Sequence, residues 1–366
     1  MASNKNQHFV PKCYLRPFTL DGEGAAINVY NLDRKKIIPN APVKNQCSSD
    51  YFYGQDEQLE KATQSLEQAY AAVLRKTLKP GCKLTQGHKE ILQIFWLFQH
   101  LRTEGAGRRA AKMFNDMIDP VNAAGAFSLN IKEAVQSAMH VFAECMHSVS
   151  DLKICLLKNS TNVPFVTSDD PAVLTNRWQL EDKRTRGGSL GLRDAGAIIL
   201  LPLSPRLYCI GYDADVYRIP SDDGSLMVRQ VSDVESLNEF QLLNCRANLF
   251  LKDLNYADEL HKFVRELCHR RSAERHRINF AVFDGVAVGT HKKYQVVPKS
   301  EFIKHNDGIM HAETIYTSPT KWPSFLLRRN KSCAYYNGTG LGYLRRAPAS
   351  LIYTDRPFLK ISPYKS

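Results

Sequence analysis

The stretch Gln7-His8-Phe9-Val10-Pro11-Lys12-Cys13-Tyr14-Leu15-Arg16-Pro17-Phe18 constrains this chain more than any other. Each proline fixes one φ angle and pushes the residue before it toward an extended conformation, so no long helix can run through the segment. Its apolar residues, Phe9, Val10, Tyr14, Leu15 and Phe18, follow neither a helical nor a strand period. A packet this dense has to be covered by something later in the chain. The expectation is an extended arm with one helical turn, docked into a core, with His8 aimed inward.

What could cover it is set by length and charge. At 366 residues the chain is long for one core, so two structural units are expected. From Arg270 to Ser366 there are 17 Lys+Arg against 6 Asp+Glu, while the preceding residues hold 32 against 31. Nearly all of the net charge of +12 therefore sits in the last quarter. That predicts a boundary near residue 270 and a tail suited to an anionic partner. Nine cysteines without a C-x-x-C pair suggest reduced thiols, a cytoplasmic location and no structural zinc. No signal peptide is expected, because no basic region leads into an apolar run. No stretch reaches the roughly twenty apolar residues of a membrane span, so no membrane partner is expected.

Residues Ile27–Tyr30 and Arg34–Ile38 read as a hairpin turning at Asp33. Leu59, Ala62, Leu66, Ala69 and Val73 carry a helical stripe through about Gln55–Lys79, stopped by Pro80-Gly81. Further helices are predicted after Thr85 to Arg102, over Arg108–Ile118 and over Ile131–Asp151. Pro164–Thr167 reads as a strand ending at Ser168-Asp169-Asp170-Pro171, and a polar loop spans Leu180–Asp194. Ala197–Leu203 and Arg206–Tyr212 read as strands. Val231–Arg246, capped by Ser232 or Asp233, and Ala257–Arg271 read as helices. In the tail, Asn279–Phe283, Lys293–Pro298, Glu313–Thr317, Cys333–Asn337 and Ser350–Tyr353 are strand-like. The fold class predicted is α+β: a predominantly helical core with short β elements over residues 1–270, and a smaller, basic, β-rich unit over 271–366.

One group of residues has the chemistry of a metal-assisted hydrolase. Glu60 and Glu67 lie two turns apart on one helix face, and Asp169-Asp170 sits where a strand turns into a loop. With His8, they supply one imidazole and several carboxylates, a set suited to Mg²⁺ or Mn²⁺ and phosphodiester hydrolysis. The expected metal ligands are His8, Glu60, Glu67 and Asp169; the expected catalytic residues are His8, Glu67, Asp169 and Asp170. The same residues also fit a solvated helix face, a turn cap and a core imidazole. His140, Glu144 and His147 form a second i, i+4, i+7 set, which fits a polar helix face equally well. His311-Ala312-Glu313 lacks the cysteines of a deaminase, Ser168 lacks a nucleophile elbow, and Asn337–Gly342 lacks the lysine of a phosphate loop. In the tail, Arg328, Arg329, Arg345 and Arg346 accompany Tyr335 and Tyr336, a combination that neutralises phosphates and stacks on bases. A solubilising surface or an acidic protein partner is the alternative.

The spaced elements His8-x-Val10-Pro11-x-x-Tyr14-Leu15, Phe52-Tyr53, Glu67, Gln99-x-x-Arg102, Thr167–Pro171, Leu203-Ser204-Pro205 and Leu237-Asn238 occur in a telling order. They resemble a largely bacterial domain-of-unknown-function family named for its His-Tyr-Val-Pro motif, over roughly residues 7–255. Phe9 replaces the usual Tyr, and Cys245-Arg246-Ala247 departs from the usual pattern. The resemblance implies that His8, Glu67, Arg102 and Asp169 share a site or a core, and no settled activity. The function expected is a metal-dependent nuclease or related phosphodiesterase, with Arg102 steadying a phosphate and the tail holding RNA or DNA. A bacterial defence or stress role suits such an effector. The alternative is a non-catalytic module binding nucleic acid or protein, including a homo-oligomer.

Overall fold

Two sheets meet at the Ser168–Pro171 turn, and the rest of the chain packs around them. The computed structural model describes residues 5–121, 127–185, 191–286, 292–305, 307–339, 341–346 and 357–364. Over these the fold is mixed α/β. The larger sheet has the strand order Ser225–Val228, Lys153–Asn159, Leu207–Tyr212, Ile198–Ser204, Val173–Thr175, antiparallel except for its first pair. The second has the order Lys36–Pro42, Ala26–Asn31, Asn248–Leu251, Thr167–Ser168, antiparallel throughout.

Every residue of Ile198–Ser204 and Leu207–Tyr212 is buried, because the larger sheet is covered on both faces. Side chains alternate across a strand. Ile154, Leu156, Ile199, Leu201 and Cys209 face one core, which holds Phe9, Val10, Tyr14, Leu15 and Phe18 of the N-terminal arm. That core is closed by the helices Glu57–Thr77, Gln86–Arg102 and Ile131–Cys145, through Tyr70, Phe95, Trp96 and Val135. Cys155, Leu157, Ile198, Leu200 and Ile210 face a second core, shared with Trp178 and with Leu237 and Phe240 of the helix Val231–Asn244.

The arm docks as expected, and its bonds reach far along the chain. Residues Asn6–His8 pair with Ser48–Asp50, and Lys12–Leu15 make one helical turn. The buried Tyr14 hydroxyl bonds Thr167 Oγ1 at 2.7 Å and donates to the Pro202 carbonyl at 2.8 Å. Gln99 Nε2 donates to the Phe9 carbonyl at 2.7 Å.

Caps explain where helix ends differ from expectation. Thr103 accepts from Ala106 N, so the third helix begins at Glu104 rather than Arg108. The fourth ends at Cys145, and turns fill the residues up to Leu152. His140 and His147 therefore do not share one helix, and both are exposed, which removes the geometry of the second metal set. Gln230 stands at the N-cap of Val231–Asn244, while Asp233 turns away to accept from the amide and hydroxyl of Ser324.

The tail after residue 270 has two parts. His276–Val286, Lys292–Val297 and Gly308–Thr314 form a three-stranded sheet with its own small core of Val282, Val297 and Phe302. Further on, Phe325, Leu326 and Ala334 enter the second core, and Leu327–Arg328 pair with Tyr217–Arg218. The strand expected over Ser350–Tyr353 lies outside the described residues, as do residues 186–190 of the Leu180–Asp194 loop.

Gly107 lets the helices Glu104–Ile118 and Ile131–Cys145 approach closely: a Cβ there would stand 2.6 Å from Val135 Cγ2 and 3.0 Å from the Ile131 carbonyl. Gly107→Ala is expected to destabilise the fold by about 1–3 kcal/mol, although alanine is the better helix former. Urea denaturation measures this; an unchanged or raised midpoint contradicts the packing argument.

Candidate functional site

Beside the arm, a cleft of about 380 Å³ is lined by His8, Lys12, Glu60, Gln64, Glu67 and Arg102, with Tyr53 and Cys13. The helix Glu57–Thr77 supplies one wall, and its seven-residue spacing brings Glu60 and Glu67 to the same side. Its N-terminus is fixed by Asp56, which accepts from Gln58 N and Leu59 N. The arm supplies the facing wall. Gln7 holds it there by accepting from Tyr53 N at 2.7 Å and donating to the Gly54 carbonyl at 3.0 Å.

Arg102 closes the bottom of the cleft and is fully buried. Its Nε donates to Tyr53 Oη at 2.7 Å, Nη1 to Glu67 Oε1 at 2.7 Å, and Nη2 to the His8 carbonyl. The guanidinium also lies over the Phe98 ring, 4.3 Å from its centroid. All three nitrogens thus donate inward, and Arg102 has been drawn away from the phosphate role expected of it. It acts as a clamp joining the arm, the Tyr53 segment and the first long helix.

His8 is held neutral. Burial, then the Lys12 ammonium and the Arg102 guanidinium, push its pKa down to about 4, against weaker support from the Val43 and Lys44 backbone. Its buried Nε2 makes no hydrogen bond among the described residues. Burial and the nearby Glu67 raise the Cys13 thiol to about 12, so it is no thiolate nucleophile at neutral pH.

The paired aspartates lie elsewhere. Asp169 accepts from Arg246 N at 2.7 Å, Ala247 N at 2.9 Å and Asn248 N at 2.8 Å, and so locks the Thr167–Ser168 strand to the Asn248–Leu251 strand. Burial nevertheless raises its pKa to about 6. Asp170 accepts from the Thr103 hydroxyl at 2.7 Å and pairs with Arg109, at the N-terminus of the helix Glu104–Ile118. Gly105 leaves room for it, since a Cβ there would sit 2.6 Å from Asp170 Oδ2. Neither aspartate lines the His8 cleft.

The metal set His8, Glu60, Glu67 and Asp169 is therefore not assembled: Glu67 is taken by Arg102 and Asp169 by three amides. No group of three or more His, Cys, Asp or Glu placed to hold a metal ion occurs among the described residues. The tail set is also dispersed. Arg345 is buried against Asp151, at 3.0 Å, and the carbonyls of Ser148, Leu192 and Asp194. Arg328 pairs with Glu181 at 2.6 Å, and Arg329 donates to the Ala214 carbonyl at 2.5 Å. Tyr336 stacks on Tyr343, and Tyr335 bonds the backbone of Leu344. Arg346 stays exposed, 3.4 Å from Asp151. Much of the tail's positive charge fastens it to the core.

The convergence of His8, Tyr53, Glu67 and Arg102 sets the comparison with known families. Residues 6–254 match the family described as protein of unknown function DUF4238. The chain belongs to that family. The DUF4238 match spans the arm, the cleft and both sheets, and agrees with the resemblance expected over roughly residues 7–255; the three-stranded sheet lies beyond it. No curated protein and no solved structure matches the chain. No helix among the described residues is long and apolar enough to cross a membrane. No role for Lys12 was legible in the sequence, which marked the clamp partner Tyr53 only as part of a spaced element. The latter signalled itself through the Phe52-Tyr53 element, and Lys12 through its place inside the arm.

Removing the clamp strands a partly buried carboxylate, so Arg102→Gln is expected to cost about 3–5 kcal/mol of unfolding free energy. A cost under 1 kcal/mol in urea denaturation would refute the clamp. Because the folded pKa of His8 lies below its ordinary 6.5, its stability contribution is full above pH 6.5 and lost as pH falls toward about 4. The stability of wild type relative to His8→Gln should therefore decline from pH 7 to 4.5 and stay level above pH 7. A pH-independent difference contradicts a depressed pKa.

Proposed function

We propose that the protein cleaves RNA phosphodiester bonds at the His8 cleft by acid–base chemistry without a carboxylate-held metal. One observation carries this reading. A neutral histidine, its Nε2 buried and without a hydrogen bond among the described residues, lines the same cleft as the Lys12 ammonium and the Glu67–Arg102 pair. Water is a poor nucleophile unless a metal or strong base activates it. The 2′-hydroxyl of RNA is already beside the phosphorus, so proximity replaces activation.

In this scheme His8 accepts the 2′-hydroxyl proton as the 2′-oxygen attacks phosphorus. The P–O5′ bond breaks, and Lys12 protonates the departing oxygen. The products are a 2′,3′-cyclic phosphate and a free 5′-hydroxyl. The His8 proton then returns to Lys12 through solvent, leaving no net proton change. The substrate's own negative charge opposes the cations that depress His8 and so strengthens it as a base. Glu67 and Arg102 are positioning residues that hold the arm carrying His8.

A second reading is favoured by the inward donation of all three Arg102 nitrogens, which is what a purely structural clamp requires. On that reading the protein binds nucleic acid without cutting it.

The test is a cleavage screen on RNA, single-stranded DNA and duplex DNA, with EDTA or with added Mg²⁺ or Mn²⁺. The expected result is cleavage of RNA alone, in EDTA, with a cyclic phosphate product. His8→Ala should lower the rate by about 10²–10⁴-fold. The acid limb of kcat/KM should fall at about pH 4, where free His8 titrates, rather than near 6.5. Cleavage only with added metal would restore metal-dependent hydrolysis. Salt-dependent binding with no cleavage would establish the second reading.

A further inference from the structure

Adjoining the His8 cleft is a larger groove of about 1230 Å³, and Cys13 and Ala71 line both. Pro17 and Leu20 of the arm, Leu74 and Leu78 of the first long helix, and Pro164 and Pro205 give it an apolar lining. Four cations also line it: Arg16, Arg75, Arg206 and Lys252. Arg16, Arg75 and Arg206 are exposed, and Lys252 is half-buried.

These four charges are not used up by the fold. Among the described residues Arg16 donates to the Glu23 carbonyl and Arg206 to that of Thr161, and neither meets a carboxylate. Arg75 and Lys252 have no side-chain hydrogen bond or ion pair among the described residues. Among the described residues the groove contains two acids, Asp253, which caps the turn at Asn255, and the exposed Glu259. The lining therefore carries an excess of two positive charges, in contrast to the tail, where Arg328 and Arg345 are paired with Glu181 and Asp151. Tyr256 adds an aromatic ring.

We infer that this groove binds a single strand of nucleic acid, its phosphates on the four cations and its bases against the apolar lining, and leads it into the His8 cleft. Three features favour a strand over other anions. The volume exceeds the roughly 300–1,000 Å³ that holds a drug-sized ligand. Several separate cations match repeated phosphates better than one compact anion. Cys13 and Ala71 also line both spaces, so the groove adjoins the place where a phosphodiester would react. Only that last link rests on the proposed cleavage; strand binding does not require it.

The test is fluorescence anisotropy with a labelled twelve-nucleotide RNA, the matching single-stranded DNA and the matching duplex, across a salt series. The single-stranded DNA lacks a 2′-hydroxyl and cannot undergo the proposed cleavage, which separates binding from chemistry. Both single strands should bind, the duplex about tenfold more weakly, with a log–log salt slope of about −3 for four phosphates. Arg75→Gln with Lys252→Gln should weaken single-strand binding about tenfold and reduce the slope's magnitude by about 1.4. The exposed pair Lys183→Gln with Lys304→Gln, away from the groove, should leave both unchanged. Equal effects of the two double variants, no binding of either strand, or equal affinity for AMP and the strand would each overturn the inference. Strand binding that depends on Arg75 and Lys252 without RNA cleavage would keep the groove and discard the cleavage reading. RNA cleavage that requires His8 while KM is unmoved by the groove variants would do the reverse.

Discussion

The burial of the Arg102 guanidinium is the constraint from which the functional geometry follows. A charge at no exposure has to be matched at close range, and here the match comes from three separate segments: Glu67, Tyr53 and the His8 carbonyl. Each partner is thereby fixed relative to the end of the helix Gln86–Arg102. The next residue, Thr103, caps the following helix and holds Asp170. One helix corner thus organises two polar clusters in opposite ways. On one side it builds a cleft lined by a neutral imidazole; on the other it encloses two aspartates in internal bonds.

The two clusters also respond to acid with opposite sign. His8 is depressed to about 4, so its contribution to stability disappears as pH falls below 6.5. Asp169 is raised to about 6, so its contribution is complete below about 3.8 and disappears as pH rises through 6. Both shifts originate in desolvation, which favours whichever form is uncharged. The result is partial compensation in the mildly acidic range.

Local patterns in the sequence announced much of the scaffold. The Leu59–Val73 stripe, the Thr85 cap and the Asp33 turn each act within a few residues, and the elements appear where they signal. Partnerships across the chain were harder to foresee. Asp169 was recognisable as a carboxylate at a turn, but its three amide donors lie 77 to 79 residues away. Charge was misleading for a related reason. The tail carries nearly all the net excess, yet Arg328 and Arg345 pair with Glu181 and Asp151. The nearly balanced part of the chain supplies the groove's unmatched cations, because net charge does not say which charges have met a partner.

Tyr14 has a consequence for how the chain is made. Among the described residues its hydroxyl is satisfied by partners 153 and 188 positions downstream. At a ribosomal rate of about 5–20 residues per second, the arm waits about 10–40 s before Pro202 exists. Until then Phe9, Val10, Tyr14, Leu15 and Phe18 can pack on Ile27, Val29, Tyr70 and Phe95 but not on Ile199 and Leu201 of the larger sheet. The arm's polar anchor is therefore completed only after the strand that ends at Ser204 has been made.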